Sequence, residues 1–267
     1  MSEIIQFNRF SDLHDNKKVF FCKTDFLQED FNFISKLNNE VILISGNSDY
    51  AISDDLVKRS PQNIVKWFCQ NNTSSDPRLV SLPTGIENHI ESKRSGHGVK
   101  WDFAIEKHKI LSSLFAKKIT GQTSNLIYAN FNINTNPQWR NKIKNICLSL
   151  DYVTFKEPNL SYPEFISDVI SHEAVVCPIG NAPTNGEGDN HRIYEVLYSN
   201  RVPIVFSNGH KTMYDRIYKF LPVVFLETEE QLLDKKYITD QINAVKDKSN
   251  EIIKFSHWKK NISDHIK

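Results

Sequence analysis

The segment from Cys177 to Val205 constrains the fold of this chain more than any other. It reads CPIGNAPTNGEGDNHRIYEVLYSNRVPIV, and an apolar, β-branched run at each end is typical of a buried strand. Residues 180–188 hold three glycines and form a loop, after which Asp189 or Asn190 can N-cap a helix. The pattern predicts a βαβ unit whose loop lies at the carboxyl end of a strand, where open α/β sheets bind ligands.

The predicted helix after this loop has an apolar and a polar face. Ile193, Val196 and Leu197 recur at helical spacing, so we expect them to pack on the sheet. The other side carries the candidate ligand-binding side chains His191, Arg192 and Glu195.

These polar side chains suit a nucleotide diphosphate. The free N–H groups and the positive dipole end of a helix N-terminus favour phosphate. The guanidinium of Arg192 adds a permanent charge, and Glu195 can accept hydrogen bonds from ribose hydroxyls. Spacing leaves a second interpretation open, in which Asp189 only caps the helix and Arg192 forms an ordinary exposed ion pair with Glu195.

The same segment resembles the nucleotide-sugar-binding signature of exostosin-like glycosyltransferases. Their pattern has a Pro-x-Gly strand end, a Gly and an Asp, an Arg, a Glu three residues later, and a Pro-Ile-Val strand. Three further stretches are similar to compact members of that group: LISGNSDYAI at 43–52, KWFCQNN with LVSLPTGIEN at 66–88, and LIYANFNINTNPQWR at 126–140. The resemblance therefore covers most of residues 20–206.

This resemblance implies an α/β protein of the GT-B-like kind, with two Rossmann-like domains whose parallel sheets face a cleft. The order β-α-β-α-β-β in the first part, and the strand–helix alternation of the second, independently favour parallel sheets. We expect an acceptor-side domain over 1–118, joined by a linker at 118–125 to a nucleotide-sugar domain over 119–240. Residues 241–267 are expected to form an amphipathic helix that crosses back onto the first domain. The polar stretch 89–101 is expected to be a surface loop.

The expected donor site combines the signature with one arginine from another loop. Arg140 follows NFNINTNPQW, which is predicted to lead from a strand into a helix of the same domain. It can neutralise phosphate there, although a surface arginine in a first helical turn is an equally ordinary interpretation. The full donor-binding set is Arg140, Gly180, Asn181, Gly188, Asp189, His191, Arg192 and Glu195.

A glycosyl transfer also needs a base for the acceptor hydroxyl, which we expect from the first domain. Asp49 is the first candidate because it follows the buried strand EVILIS in a polar turn, although an aspartate there can simply close an Asx-turn. Glu87, after another strand, is the second candidate, and Asp25 is the third. Exostosin-like enzymes invert the anomeric carbon, so the resemblance implies a single displacement.

Composition excludes several other functions. The net charge of +1 provides no field that would draw the chain to nucleic acid or to an anionic membrane. No stretch approaches the run of about 18 apolar residues that indicates a membrane span. Charged residues in the first twenty positions argue against a signal peptide, and four widely spaced cysteines indicate reduced thiols, so we expect a cytoplasmic protein.

No cofactor and no metal ion are expected. The sequence lacks the Asp-x-Asp of metal-dependent glycosyltransferases and the HExxH pattern of zinc sites. The expected partners are a nucleotide sugar, UDP-linked on the grounds of the resemblance, and an oligosaccharide or glycan acceptor; the oligomeric state is left open.

Two other functions stay open at this stage. A dinucleotide-dependent oxidoreductase is disfavoured because no GxGxxG follows the first strand, and Gly180, Gly186 and Gly188 have the wrong spacing. The other alternative is a non-catalytic scaffold that binds a nucleotide or a glycan.

Overall fold

The computed structural model describes residues 2–92, 99–117, 123–181 and 187–266, and it shows an α/β protein with two parallel sheets. The strands are β1 (Val19–Lys23), β2 (Val41–Gly46), β3 (Ile64–Cys69), β4 (Leu79–Ser81), β5 (Asn125–Ala129), β6 (Val153–Phe155), β7 (His172–Val176), β8 (Val202–Phe206) and β9 (Val224–Leu226). The helices are α1 (Leu27–Ile34), α2 (Asp54–Lys58), α3 (Phe103–Lys117), α4 (Pro137–Leu148), α5 (Tyr162–Ile170), α6 (His191–Tyr198), α7 (Ser207–Arg216), α8 (Lys235–Val245) and α9 (Phe255–Asp264).

The sheet topology confirms the predicted parallel α/β architecture. The first sheet has the order β1-β2-β3-β4, and the second has the order β6-β5-β7-β8-β9. Strands β7 and β8 pair in parallel on either side of the α6 connection, which confirms the βαβ unit predicted from residues 177–205.

The first sheet is buried on both faces, as expected for a parallel sheet with nearly continuous apolar strands. All six residues of β2 are buried. Helices α1 and α2 cover one face, where Phe31 and Val57 pack with Trp67. The opposite face is covered by the 3-10 helix Phe7–Leu13 and by α9, which contributes Trp258. The last helix of the described chain therefore packs on the first sheet.

The second sheet is also enclosed between helices. Helices α3, α5, α6 and α7 cover one face, and their apolar residues, such as Leu111, Val169 and Ile193, share one core cluster. Helices α4 and α8 cover the other face, where Ile143 and Ile242 pack. None of the helices in the described parts of the chain is both long and apolar enough to cross a membrane.

Helix α3 lies on the side of the second sheet, whereas the boundary predicted at residue 118 assigns it to the first. Its Leu111 packs in the cluster shared with α5 and α6. An apolar stripe on a helix shows that the helix is packed, but it does not show against which sheet. Five residues of the linker predicted at 118–125 lie outside the described residues, and Asn125 already belongs to β5. Residues 93–98 of the predicted loop also lie outside them.

The C-terminal region forms two helices instead of the one predicted over 241–267. Ile242 lies in α8 and packs on the second sheet, whereas Trp258 lies in α9 and packs on the first. The intervening residues 246–250, KDKSN, have no apolar side chain to bury, so the amphipathic pattern is interrupted there. The predicted boundary at 241 consequently falls within α8.

Strand β4 spans only Leu79–Ser81, and the residues that follow it have another role. After β4 the chain leaves the sheet and meets the N-terminal segment, where Ile86 N donates to Ile5 O at 2.9 Å. Gly85 has φ +67°, and a Cβ there would lie 2.2 Å from Ile5 O, so this approach requires glycine. This turn carries residues 84–88 to the space between the two sheets.

Candidate functional site

The two sheets meet at a cleft of about 630 Å³. Its first-sheet wall includes residues that closely follow the strands, such as Asp25 after β1, Asp49 after β2 and Asn71 after β3. Its second-sheet wall includes Asn181, from the loop after β7, and the residues at the start of α6: Asp189, Asn190 and His191. The carboxyl ends of parallel strands thus face the cleft, which is where such sheets bind ligands.

Two asparagines in the left-handed conformation shape the first-sheet wall. Asn47 has φ +54° directly after β2, and Asn71 has φ +47° shortly after β3. Asparagine adopts this conformation more readily than other non-glycine residues. The turn at Asn71 allows its side chain to donate to Ser48 O at 3.0 Å and to accept from Asp189 N at 3.1 Å, so it spans the cleft.

Three asparagines form a hydrogen-bonded ring at this wall, in which Asn8 takes part through both its backbone N–H and its side chain. Asn8 N donates to Asn88 Oδ1 at 2.7 Å, and Asn88 Nδ2 donates to Asn47 Oδ1 at 3.2 Å. Asn47 Nδ2 donates in turn to Asn8 Oδ1 at 3.1 Å. The ring connects the N-terminal segment, the end of β2 and the turn after β4, and it holds these polar groups in fixed positions.

Asp189 joins the two walls instead of capping α6. Its carboxylate accepts from Thr84 N at 2.8 Å and from the hydroxyls of Tyr194 and Tyr218. Burial raises the pKa of this carboxyl, although those hydrogen bonds oppose the rise. The N-cap is Asn190, whose Oδ1 accepts from Ile193 N at 3.2 Å. Of the two predicted N-cap residues, Asn190 is therefore the one that caps α6.

Glu195 was predicted to lie on an open polar face of α6, but it is buried, with 2% of its side chain exposed. Lys107 of α3 lies 2.6 Å from Glu195 and 2.7 Å from Glu87, and Arg192 Nε lies 3.1 Å from Glu195. The polar side of α6 is covered because α3 packs across it. The carboxylate of Glu195, which was predicted to accept hydrogen bonds from ribose hydroxyls, therefore already pairs with two cations.

Lys107 was not identified from the sequence. It lies between the buried Ala104 and Leu111 of α3, at three- and four-residue spacing. A lysine in the apolar stripe of a helix needs a carboxylate partner when it is buried. The position of Lys107 in this stripe could therefore have indicated a buried ion pair.

Glu87 is held as an ionised carboxylate. Burial acts to raise its pKa, but the nearby His191 and Lys107 outweigh burial, and the pKa is lowered. Its side chain contacts Lys107 and is not among the residues that line the cleft. Asp49, in contrast, is exposed and lines the cleft, while Asp25 lines it in an ion pair with Lys23 at 3.1 Å.

Arg140 supports the backbone at the end of β7. Its guanidinium donates to Ile179 O at 2.8 Å, to Pro178 O at 3.0 Å and to Asn132 O at 2.5 Å. These bonds use three of its five N–H groups. A Cβ on Gly180 would lie 3.0 Å from Arg140 Nη2, so the glycine lets the loop approach the guanidinium.

The two arginines of the expected donor site lie near each other. Burial first, and then the charge of Arg192, lower the pKa of Arg140 to about 10. Arg192 stacks on Phe165, with its Cζ 4.0 Å from the ring centre. Two guanidinium groups that repel each other favour an anion in their vicinity, and phosphate is the anion they bind best.

The remaining expected donor-site residues differ in accessibility. His191 lines the cleft, and its Nδ1 must donate to Gly85 O at 2.8 Å because a carbonyl only accepts. Asn181 is exposed in the cleft, whereas Gly188 is buried and donates its N–H to Gly209 O. Gly186, considered above for its spacing, lies outside the described residues.

The described residues provide no group of three or more His, Cys, Asp or Glu side chains that could hold a metal ion. All four cysteines are buried free thiols. Burial raises the pKa of Cys177, beside the glycine loop, to about 12, so this thiol is a poor nucleophile.

No protein-family model matches the sequence, and no curated protein is significantly similar to it.

Proposed function

We propose that this protein is an inverting, metal-independent glycosyltransferase with a GT-B-like arrangement of its two sheets. It would move a sugar from a nucleoside-diphosphate donor, UDP-linked, to a hydroxyl of a glycan acceptor. The cleft is the observation that carries the proposal: one wall has Asn181 and the N-terminus of α6, with Arg140 and Arg192 behind this lining, and the other has carboxylates.

The diphosphate is assigned to the second-sheet wall. The loop at Gly180 and Asn181 and the first turn of α6 offer backbone N–H groups, and the nearby Arg140 and Arg192 supply positive charge. This arrangement stabilises the charge that develops on the leaving diphosphate, which is the main electrostatic demand of the reaction.

The chemical step is a single displacement. The acceptor oxygen attacks the anomeric carbon, the bond from that carbon to the diphosphate oxygen breaks, and the hydroxyl proton passes to Asp49. Asp49 suits this role better than Glu87, because it is exposed in the cleft while Glu87 is paired with Lys107. His191 in its protonated form can donate from Nε2 to the leaving group, since its Nδ1 is already engaged.

Nucleotide binding and turnover test the proposal. Thermal-shift assays with UDP, GDP and NAD should show stabilisation by a nucleoside diphosphate and none by NAD. A panel of nucleotide sugars, with oligosaccharide acceptors and with or without EDTA, should release nucleotide at rates that EDTA does not change. Stabilisation by NAD alone would favour an oxidoreductase, and binding without any release of nucleotide would favour a non-catalytic scaffold. Loss of activity in EDTA, restored by Mn²⁺, would contradict the metal-independent mechanism.

The assignment of the base has its own test. Asp49→Asn should bind UDP as the parent does but turn over at least about a hundredfold more slowly, because the amide cannot accept the proton. Asp55→Asn, on the exposed surface of α2, is the matched control and should keep parental turnover. Near-parental turnover of Asp49→Asn would show that Asp49 only closes a turn, and Asp25 would be the next candidate.

A further inference from the structure

We infer that the first-sheet half of the cleft is a subsite for an uncharged sugar ring, held between side-chain amides and the rings of Trp101 and Tyr50. The inference rests on the proposed function in that this ring is taken to be the acceptor. It goes further because it specifies the charge of the acceptor sugar and the residues that select it.

The amides of this half match the chemistry of sugar hydroxyls. A hydroxyl both donates and accepts, and so does an amide side chain, which carries two N–H groups and one carbonyl oxygen. Asn71 and Asn88 each use one of their N–H groups within the protein, in the bonds to Ser48 O and Asn47 Oδ1. Both amides line the cleft from largely buried positions, and these two bonds leave one N–H of each amide for a ligand.

Two exposed aromatic rings flank these amides. Trp101 is 47% exposed and Tyr50 is 55% exposed, and both line the cleft. The apolar C–H face of a pyranose packs on such a ring, while the hydroxyls at its edge reach polar partners. A pocket that combines apolar walls with a few oriented polar groups is typical of small-molecule sites.

The Trp101 wall is fixed by the asparagine ring described above. Trp101 N donates to Asn88 O at 2.8 Å, and Asn8 Nδ2 donates to Val99 O at 3.0 Å. The backbone of this wall is therefore tied to the same residues that hold the amides. A ring presented in a fixed position loses little conformational entropy when a ligand stacks on it.

The charges of this half disfavour an acidic sugar. Among the described residues that line this half, the cation is Lys23, which already pairs with Asp25, and Asp49 adds a further carboxylate. Arg140 and Arg192 are not among the residues that line this cleft. Within the described lining, a uronic or sialic acid would place a carboxylate near Asp49 with no unpaired cation beside it, so a neutral ring is preferred.

A pair of matched probes tests the inference. Methyl β-glucoside and methyl β-glucuronide share one ring and differ in a carboxylate, and methyl β-galactoside and methyl N-acetyl-β-glucosaminide extend the neutral set. Their affinities for the full chain are measured by saturation-transfer NMR titration, with and without UDP. At least one neutral glycoside should bind, and where the glucoside binds, the glucuronide should bind at least tenfold more weakly.

Variants identify the wall. Trp101→Ala should weaken the neutral glycoside at least tenfold and Trp101→Phe should weaken it less, while both keep parental affinity for UDP. Phe220→Ala, an exposed aromatic on the second-sheet side that does not line the cleft, should change nothing. Equal binding of glucoside and glucuronide, no binding of any neutral probe, or parental affinity in Trp101→Ala would each overturn the inference. If UDP fails to bind while Trp101→Ala still loses the glycoside, the donor assignment fails and the sugar subsite stands.

Discussion

Arg192 combines structural contacts with the role in anion binding that we propose for it. Its Nε pairs with the buried Glu195, and its flat face rests on Phe165, so the guanidinium is held in one orientation. When Arg192 is replaced, Glu195 keeps one cationic partner, Lys107 at 2.6 Å, which it shares with Glu87. Substitution of Arg192 should therefore affect a bound anion more than the fold.

We expect Arg192→Ala to weaken UDP binding by about 1.5–3 kcal/mol, the usual contribution of a charged hydrogen bond. Isothermal titration calorimetry with UDP measures the change. Arg59→Ala, at the end of α2 and exposed, is the control and should bind UDP as the parent does. Equal affinity of parent and Arg192→Ala, with both folded, would show that Arg192 is only an ion-pair residue.

His210 is expected to make stability depend on pH. It is fully buried in α7, and burial first, then Arg140, lower its pKa to about 3. The folded protein consequently binds fewer protons than the unfolded chain between pH 6.5 and 3. The free energy of unfolding is therefore at its full value above pH 6.5, where the histidine is neutral in both states. It falls as the pH falls below 6.5, by about 2 kcal/mol at pH 5.

The contribution of His210 is measured as the fall in free energy of unfolding between pH 7 and pH 5, from urea titrations. His210→Gln does not titrate, so its fall should be smaller than that of the parent by about 2 kcal/mol. The control is His257→Gln, which replaces a histidine of α9 that is not fully buried. An identical pH dependence in His210→Gln and the parent would rule out this role.

At the scale of elements, α3 depends on one buried lysine. Lys107 lies between Glu87 and Glu195; burial acts to lower its pKa, but the two carboxylates outweigh burial and raise it. Removing this cation leaves Glu87 without its lysine and Glu195 with Arg192 alone, and breaking a buried ion pair costs about 3–5 kcal/mol. We expect Lys107→Met to be destabilised on that scale.

Urea unfolding of Lys107→Met and Lys109→Met gives the comparison within one helix. Lys109 is exposed on α3, so its substitution should change the free energy of unfolding by less than about 0.5 kcal/mol. Equal stability of the two variants would mean that the carboxylates near Lys107 are protonated or compensated in another way.

The same helix also shows the limit of prediction for elements. The strands and helices around the glycine loop follow from local patterns, because β-branched runs and three- or four-residue spacings are encoded within a few positions. Helix α6 begins within one residue of its predicted start. The sheet on which α3 packs does not follow from local patterns. An apolar stripe fits any apolar surface, so the choice of sheet depends on the packing of the complete tertiary structure.

At the scale of the whole molecule, the two sheets are joined by Asp189. Its carboxylate accepts from Thr84 N on one side and from the hydroxyls of Tyr194 and Tyr218 on the other. The N-terminal segment adds a second connection, since Ile5 N donates to Tyr198 Oη at 2.8 Å. The two sheets should consequently unfold together.

We expect Asp189→Ala to lower the free energy of unfolding by at least about 3 kcal/mol. Several buried donors lose their acceptor in this variant, and each loss costs about 1–3 kcal/mol. It should also separate the urea transition seen by tryptophan fluorescence, to which the buried Trp67 of the first sheet contributes, from that seen by far-UV circular dichroism. In the parent and in the exposed control Asp151→Ala, the two transitions should coincide. Coincident transitions in Asp189→Ala would show that other contacts hold the sheets together.

Local sequence was sufficient for the α/β class, the parallel strands and the position of the glycine loop at a strand end. It was also sufficient to bring Asp49, Asn181 and His191 to one cleft, because residues after parallel strands and at helix N-termini share an edge. The partners of the charged side chains were decided by tertiary structure. Glu195 meets Lys107 from 88 positions away, and Asp189 meets Thr84 from 105 positions away. Such pairs satisfy buried polar groups that become neighbours only when the sheets have packed, and no pattern within a short segment records them.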